Sequence, residues 1–271
     1  MVRDEISSQL IVDKLSDPAV LRNACEFAGL HRALVVKHLW ATLPAPDEAN
    51  ELRSVALELT MNYVAALEDA VLWFFVLREW KSGDKLLFDL LDSIQVVESR
   101  NAKYSSQAAL DEIDGWTVAD LRRELGLPGD EWLLSHGWSK TGVNRHISAI
   151  REGLERLKKG LELRVGDEGV LCTSYNKIKH GCLAIATTEH SSIGVSVMMS
   201  SRRGPLGEGG KRLINTGWLP CEKRELAGFA DSTLLITEAM WTLLNILYTF
   251  RFDTDWALPE WPVPPLDWTD P

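Results

Sequence analysis

An amide and an imidazole lie four residues apart in the segment TSYNKIKHG, residues 173–181. On a helix this spacing places Asn176 and His180 on one face, with Lys177 and Lys179 on its two flanks. Imidazole exchanges protons near neutral pH, an amide donates a hydrogen bond to a phosphate oxygen, and a lysine offsets developing negative charge. These side-chain types in this pattern are suited to phosphoryl chemistry.

The same residues also fit a purely structural role. A histidine in the last turn of a helix places a cation at the negative end of the helix dipole. A following glycine, here Gly181, readily takes the left-handed conformation that ends many helices. The spacing of Asn176 and His180 therefore leaves a catalytic helix end and a well-capped helix end both open.

Helical periodicity dominates the rest of the chain and predicts a mainly α-helical fold. Apolar residues at steps of three or four predict long helices from Asp47 to about residue 81, over 144–164 and over 222–252. An N-terminal helix begins at Pro18 and is divided at Gly29. The side chains predicted to face inward are Leu52, Val55, Leu59, Tyr63, Leu67, Ala70, Trp73 and Leu77, then Ile147, Ile150, Leu154, Leu157 and Leu161, then Leu226, Phe229, Ile236, Met240, Leu243, Leu247 and Phe250.

The pattern changes after the motif. Two runs rich in β-forming residues, 182–189 and 192–200, are separated by a polar turn, which predicts a hairpin. The Gly-rich stretch 202–220 is predicted to be a mobile loop. Its basic residues are candidates for contacting RNA or another anionic partner: Arg202, Arg203, Lys211 and Arg212.

The charge of the chain is unevenly placed. The formal net charge is −10, which argues against broad, non-specific binding to nucleic acid. Residues 253–271 hold five acids and no Lys or Arg, so the tail accounts for −5 and the remaining body for −5. The same tail contains three tryptophans and five prolines. Because exposed tryptophan is costly, the tail is predicted to lie against the body or against a partner.

The sequence argues against a metal site, a membrane span, a signal peptide and a serine hydrolase. The four cysteines are scattered without paired spacing, which favours free thiols in a reducing cytoplasm, and no metal or other cofactor is expected. The apolar final helix is interrupted by Glu238 and Asn245, which favours a core helix over a membrane span. The N-terminus lacks the apolar segment of a signal peptide. Ser135 and His136 are adjacent, but no G-x-S-x-G motif surrounds them, so a hydrolase is not expected.

Two pairs of charged residues are predicted to lie on solvated helix faces. Glu68 and Asp69 are adjacent acids on the first long helix. Glu152 and Arg156 are four residues apart on the second, where opposite charges at this spacing pair on the outer surface. Neither pair is predicted to carry function.

The helical layout and the motif together resemble the HEPN superfamily over residues 47–252. The motif of that family is an arginine, then a polar residue that is often asparagine, then three variable residues and a histidine. In this chain Asn176 and His180 match it, and Tyr175 occupies the arginine position. The resemblance implies an antiparallel helical bundle with a β-hairpin and loop inserted at 182–220. An N-terminal helical extension would cover 1–46, and the Trp/Pro-rich acidic tail would cover 253–271.

The resemblance also implies a function. Many members of the superfamily are metal-independent RNases of prokaryotic defence and toxin–antitoxin systems, and they pair two motifs across a homodimer. This implies an RNA endonuclease with His180 as general acid or base, Asn176 and a lysine stabilising charge, and Tyr175 contacting the substrate. Because the arginine is replaced, either Lys177 or Lys179 supplies the cation, or the chain is a non-catalytic HEPN-like module that binds a protein partner, such as an antitoxin, or senses a ligand.

Overall fold

The fold is mostly helical with one small antiparallel sheet. The computed structural model describes residues 22–23, 25, 27–45, 47–80, 93–97, 105–166, 184–189, 192–198, 216–252, 261–264 and 266. The helices are α1 Leu30–Ala41, α2 Ala49–Trp80, α3 Ser106–Ile113, α4 Val118–Leu125, α5 Asp130–Ser135, α6 Lys140–Gly166 and α7 Lys223–Phe252. The strands are β1 Ala184–Glu189, β2 Ser192–Met198 and β3 Thr216–Pro220, and a short helical stretch covers 93–97.

Helix α7 packs along α6 in the opposite direction. Gly153 of α6 lies against Ala239 and the carbonyl of Leu235, while Arg156 reaches Asp231 one turn further along. A Cβ atom on Gly153 would lie 2.2 Å from the Cβ of Ala239 and 2.7 Å from that carbonyl oxygen. The absence of a side chain at Gly153 therefore sets how closely the two helices approach.

Helices α2 and α7 run parallel to each other. The ring of Tyr63, midway along α2, stacks on that of Phe229, in the second turn of α7, with centroids 5.1 Å apart. Near their ends the guanidinium of Arg251 lies 4.3 Å from the ring centroid of Trp80, and its Nη1 donates to the Trp80 carbonyl at 2.7 Å. The last carbonyls of a helix have no partner within it, so the buried Arg251 stabilises the C-terminal end of α2.

The N-terminal helical residues pack along α7 as well. Gly29 has a φ of 76°, and helical residues lie on both sides of it, which confirms the predicted division. A Cβ atom at Gly29 would lie 2.6 Å from the Met240 methyl carbon, so glycine is needed for both its conformation and this contact. Asn245, fully buried, donates to the carbonyls of Trp241 and Cys25 at 2.7 and 3.3 Å.

The apolar stripes predicted from the sequence face the core with one exception. Phe250 is 36% exposed, contrary to prediction, and its ring meets the edge of Trp132 at 5.0 Å. The predicted residues that are buried are Leu52, Leu59, Tyr63, Leu67, Ala70, Leu77, Ile150, Leu154, Leu161, Leu226, Ile236, Met240 and Leu247. Those partly buried against the core are Val55, Trp73, Ile147, Leu157, Phe229 and Leu243.

The three strands form a sheet in the order β1-β2-β3. Strands β1 and β2 form the predicted hairpin, closed where Glu189 pairs with Ser192. The prediction of a loop was wrong for Thr216–Pro220, which pairs antiparallel with β2. The ring of Trp218 lies over Gly194, where an added Cβ would come within 2.2 Å of it. This glycine lets the ring lie on the sheet and hold β3 in place.

The C-terminal segment packs against the body, as predicted for the tail. Val263 is buried, and Trp261 and Leu266 are partly buried in the same apolar cluster as residues of α1, α2 and α7. The ring of Trp261 meets that of Trp241 in α7 with centroids 5.3 Å apart. Of the tail, the structure describes residues 261–264 and 266, and these cover part of α7.

Helices α2 and α7 are long and apolar enough to cross a membrane by length and composition. In their most apolar windows, however, 67% and 78% of the residues are buried inside the protein. Their apolar side chains thus form the core of this fold.

Candidate functional site

The predicted catalytic segment lies between α6 and β1, outside the residues that the structure describes. The gap 167–183 contains the whole predicted motif, namely Tyr175, Asn176, Lys177, Lys179 and His180. The gap 199–215 contains the predicted RNA-contacting residues, namely Arg202, Arg203, Lys211 and Arg212. The roles of these residues stay predictions from the sequence.

Ser135 and His136 have a structural role at the end of α5. The Ser135 hydroxyl donates to the carbonyl of Trp132 at 2.8 Å, and Nδ1 of His136 lies 2.8 Å from the same oxygen. The imidazole also stacks on the Trp132 ring with centroids 3.9 Å apart. Since Nδ1 must carry a proton to bond this carbonyl, it does not accept the serine proton as a general base would.

Two residues predicted to lie on solvated faces instead hold helices together. Asp69 of α2 accepts a hydrogen bond from Nε of Arg32 in α1. Arg156 of α6 donates through Nη2 to a carboxylate oxygen of Asp231 in α7 at 2.7 Å. The predicted outward pairing of Arg156 with Glu152 is therefore wrong, because a half-buried acid on the neighbouring helix is a closer partner.

A cavity of about 170 Å³ lies between α6, α7 and the C-terminal segment, and we call it the α6–α7 cleft. Asp231, Leu234, Leu235 and Glu238 line it from α7, and their spacing of three, four and seven residues puts them on one helix face. Arg145 lines it from α6. The remaining lining residues are all apolar and come from the C-terminal segment: Trp261, Val263, Pro264 and Leu266.

The cleft has a carboxylate at each end and an apolar floor between them. At 1.5 Å per residue, Asp231 and Glu238 are about 10 Å apart along the axis of α7. Leu234 and Leu235 lie between them, and Leu234 is buried. The ring of Trp261 lines the cleft from the C-terminal segment. Polar groups that converge on a mainly apolar cavity are typical of small-molecule sites.

Burial raises the pKa of both carboxyl groups of the cleft. At Asp231 the ion pair with Arg156 opposes this rise in pKa, and at Glu238 the charge of Arg145 opposes it. The nearby Glu152 raises the pKa of both acids further. Three acids and two arginines thus form this charged group, so that it carries one surplus negative charge when all five are ionised.

The two cleft acids differ in how their oxygens are satisfied. Asp231 accepts the hydrogen bond from Arg156 described above. The Glu238 carboxylate is affected by burial and by the charges of Arg145 and Glu152, and no hydrogen bond from a described residue stabilises it. Glu238 is therefore a half-buried carboxylate that faces a cavity with unused hydrogen-bonding capacity.

A second cavity, of about 50 Å³, lies inside the bundle. It is lined by apolar side chains and by Gly153. The residues around it come from α2, α3, α4, α6 and α7: Ala70, Trp73, Phe74, Leu77, Ile113, Leu121, Leu125, Ile150, Leu154, Leu157, Ile236, Ala239, Met240 and Leu243. Its volume is about that of one or two water molecules. With no polar side chain in its lining, it has nothing to orient a substrate.

Helix α1 and Phe27, two residues before Gly29, present an apolar surface. Phe27, Leu34 and Val35 are 60%, 48% and 43% exposed, and Leu34 and Val35 follow His31 by three and four residues on the same side of α1. The ring of His31 stacks on Phe27 with centroids 6.0 Å apart. We call this surface, made of these four residues, the α1 face. Apolar side chains that are exposed together mark contact surfaces for other molecules.

The sequence contained a signal for the α6–α7 cleft that motif reasoning did not use. Asp231 and Glu238 are acids seven residues apart within an otherwise apolar helix, which puts both on one face. Glu238 was interpreted only as an interruption of an apolar segment. The partners that give the cleft its shape, Arg156 and Trp261, are far away in sequence, and local periodicity does not identify them.

No family model, no curated protein and no solved structure matches this chain. Its function must therefore be argued from its own residues and geometry.

Proposed function

We propose that this chain is a HEPN-like protein of a prokaryotic defence or stress system with metal-independent RNA endonuclease activity. The observation that carries the proposal is the Asn176-x-x-x-His180 pair in the sequence, placed between the long helices α6 and α7. The opposite directions of α6 and α7, and the close packing between them, support a bundle of the kind that the resemblance implies.

In the proposed reaction the phosphoryl group leaves the 5′-oxygen of the next nucleotide and bonds to the 2′-oxygen of the ribose that already carries it. The 2′-oxygen attacks phosphorus, the bond to the 5′-oxygen breaks, and the products are a 2′,3′-cyclic phosphate and a free 5′-hydroxyl. His180 takes the proton of the 2′-hydroxyl or gives one to the leaving oxygen. Asn176 and either Lys177 or Lys179 stabilise the negative charge on the phosphate. Tyr175 and the basic residues of 202–212 contact the RNA.

The test is RNA cleavage in the presence of EDTA. Purified protein is incubated with total RNA, and the ends of the fragments are identified. Cleavage that persists in EDTA and leaves 2′,3′-cyclic phosphate is expected. The His180→Ala variant should lose about 100-fold or more of the activity, which is the usual contribution of a general acid or base. His38→Ala, which changes an exposed histidine of α1, is the matched control and should cleave like the wild type.

Two outcomes would contradict the nuclease. Equal cleavage by the wild type and His180→Ala would point to a contaminating RNase. Light scattering adds a second criterion, because a strictly monomeric protein cannot form an active site shared by two copies of the motif.

A second candidate function is that of a non-catalytic module that binds a protein partner. Tyr175 at the arginine position favours it, and so does the exposed α1 face. This candidate predicts that the wild type does not cleave RNA and that a partner copurifies with it from the cells that produce it. Leu34→Asp should then release the partner while the melting temperature stays unchanged, because Leu34 is exposed. Retention of the partner by this variant would exclude the α1 face.

A further inference from the structure

We propose that the α6–α7 cleft binds a small organic cation, a protonated amine with a short apolar body. The proposal goes beyond RNA cleavage and does not depend on whether the motif at Asn176 and His180 is active. It rests on the shape and the charge of the cleft and on the Glu238 carboxylate, which accepts no hydrogen bond from a described residue.

The sign of the charge selects a cation. Asp231 is already paired with Arg156 at 2.7 Å, so the group that remains for a ligand is Glu238. Arg145 and Glu152 act on Glu238 in opposite directions, Arg145 more strongly, and no described residue donates a hydrogen bond to its carboxylate. A half-buried carboxylate without a donor is costly. An ammonium group supplies both the opposite charge and three N–H donors.

The walls of the cleft select an apolar body and limit its size. Leu234, Leu235 and Val263 provide aliphatic surface, and Trp261 provides an aromatic ring of the type that attracts cations. The volume of about 170 Å³ lies below the range of about 300–1,000 Å³ that holds drug-sized ligands. A short alkyl amine or benzylamine is therefore a better match than a nucleotide or a peptide.

The position of the cleft explains how a ligand would affect the protein. The cleft joins α6 and α7 to the C-terminal segment, which are distant in sequence. A ligand that contacts all three stabilises the folded state in proportion to its occupancy. Binding should consequently raise the melting temperature of the protein as well as release or absorb heat.

The experiment measures binding of n-butylammonium and benzylammonium to the full chain at pH 7 by calorimetry, without RNA. The neutral isostere n-butanol and the anion butyrate are the comparison ligands. We expect each amine to bind at least about tenfold more tightly than n-butanol, because a charge-assisted hydrogen bond contributes that much or more. Butyrate should bind no better than n-butanol.

Three variants assign the binding to the cleft. Glu238→Gln keeps the shape of the side chain and should weaken amine binding at least about tenfold. Leu235→Phe fills the cavity without a change of charge and should weaken binding of both amines. Glu162→Gln removes an exposed acid of α6 that does not line the cleft, and it should bind like the wild type.

The outcomes separate cleanly. Tighter binding of butyrate than of n-butylammonium would overturn the charge assignment. Amine binding that survives in both Glu238→Gln and Leu235→Phe, with melting temperatures showing that both variants are folded, would overturn the location. Lack of any amine binding by the wild type at millimolar concentration would overturn the proposal as a whole, whatever the result with RNA.

Discussion

The two flanks of helix α7 are built differently. Towards α2 the contact is mainly aromatic and apolar, with Tyr63 stacked on Phe229 and one buried cation, Arg251, over the Trp80 ring at its end. Towards α6 the helices meet at Gly153, where the two backbones come close, and the contact is bordered by the ion pair of Arg156 and Asp231. The α2 flank is closely packed, whereas on the α6 flank charged groups lie beside the α6–α7 cleft. The difference shows where on one helix a ligand site can form.

The same comparison indicates what holds each flank together. Burial of apolar surface contributes about 25 cal/mol per Å², so large side chains dominate the α2 flank. A partly exposed ion pair contributes only about 0–1 kcal/mol. The α6 flank therefore depends on the close approach at Gly153 more than on its charges. Three experiments, each with its own variants, test this account.

The largest effect is expected from Gly153→Val on the α6 flank. Even a Cβ atom at this position would overlap Ala239 and the Leu235 carbonyl, so a branched side chain must push the helices apart. We expect the free energy of unfolding to fall by about 3 kcal/mol. Urea denaturation followed by circular dichroism measures it.

The matched control for Gly153 is Gly228→Ala in α7. Beyond its chain neighbours and the adjacent backbone of α7, nothing lies within 4 Å of a Cβ added at Gly228, and alanine favours the helix. This variant should gain about 0.5–1 kcal/mol in the free energy of unfolding. If Gly153→Val were as stable as the wild type, close approach would not hold the α6 flank together.

An intermediate effect is expected from Phe229→Leu on the α2 flank. The substitution keeps an apolar side chain but removes the ring stacked on Tyr63, so the free energy of unfolding should fall by about 1 kcal/mol. The control is Phe27→Leu, whose ring is 60% exposed and should change stability very little. Equal losses in the two variants would mean that the stacked pair contributes nothing specific.

The smallest effect is expected from the ion pair itself. A double-mutant cycle with Arg156→Met and Asp231→Asn should give a coupling energy below about 1 kcal/mol, because the two side chains are 39% and 31% exposed. The coupling should shrink further in 1 M salt, where charges are screened within about 3 Å. A coupling above about 2 kcal/mol would instead assign the strength of the α6 flank to its charges.

Much of the fold was predictable because its signals are local. The three long apolar stripes and the β1–β2 hairpin follow from periods of about 3.6 and 2 residues, which a short window of sequence contains. Strand β3 was missed because it ends a Gly-rich stretch and because its pairing with β2 and the contact of Trp218 with Gly194 join residues distant in sequence. Phe250 was assigned to the core by its period, although at the end of α7 it meets the edge of Trp132.

The α6–α7 cleft was less predictable than the fold. Asp231 and Arg156 are 75 residues apart in the chain, so no local pattern indicates that they meet. The lining contributed by Trp261 and Val263 depends on where an irregular segment returns, and Pro-rich sequence gives no period to follow. The proposed nuclease motif differs from the cleft in this respect. It was found in the sequence from local spacing alone, and it lies outside the described residues.

The contact between Trp241 and Trp261 also constrains the order in which the protein can mature. During synthesis α7 is made before residues 261–266, so the Trp241 indole has no contact with Trp261 until those residues follow. Until then the apolar surface that these residues cover is open to water. Proteolytic trimming just ahead of Trp261 would return a finished molecule to the same vulnerable condition.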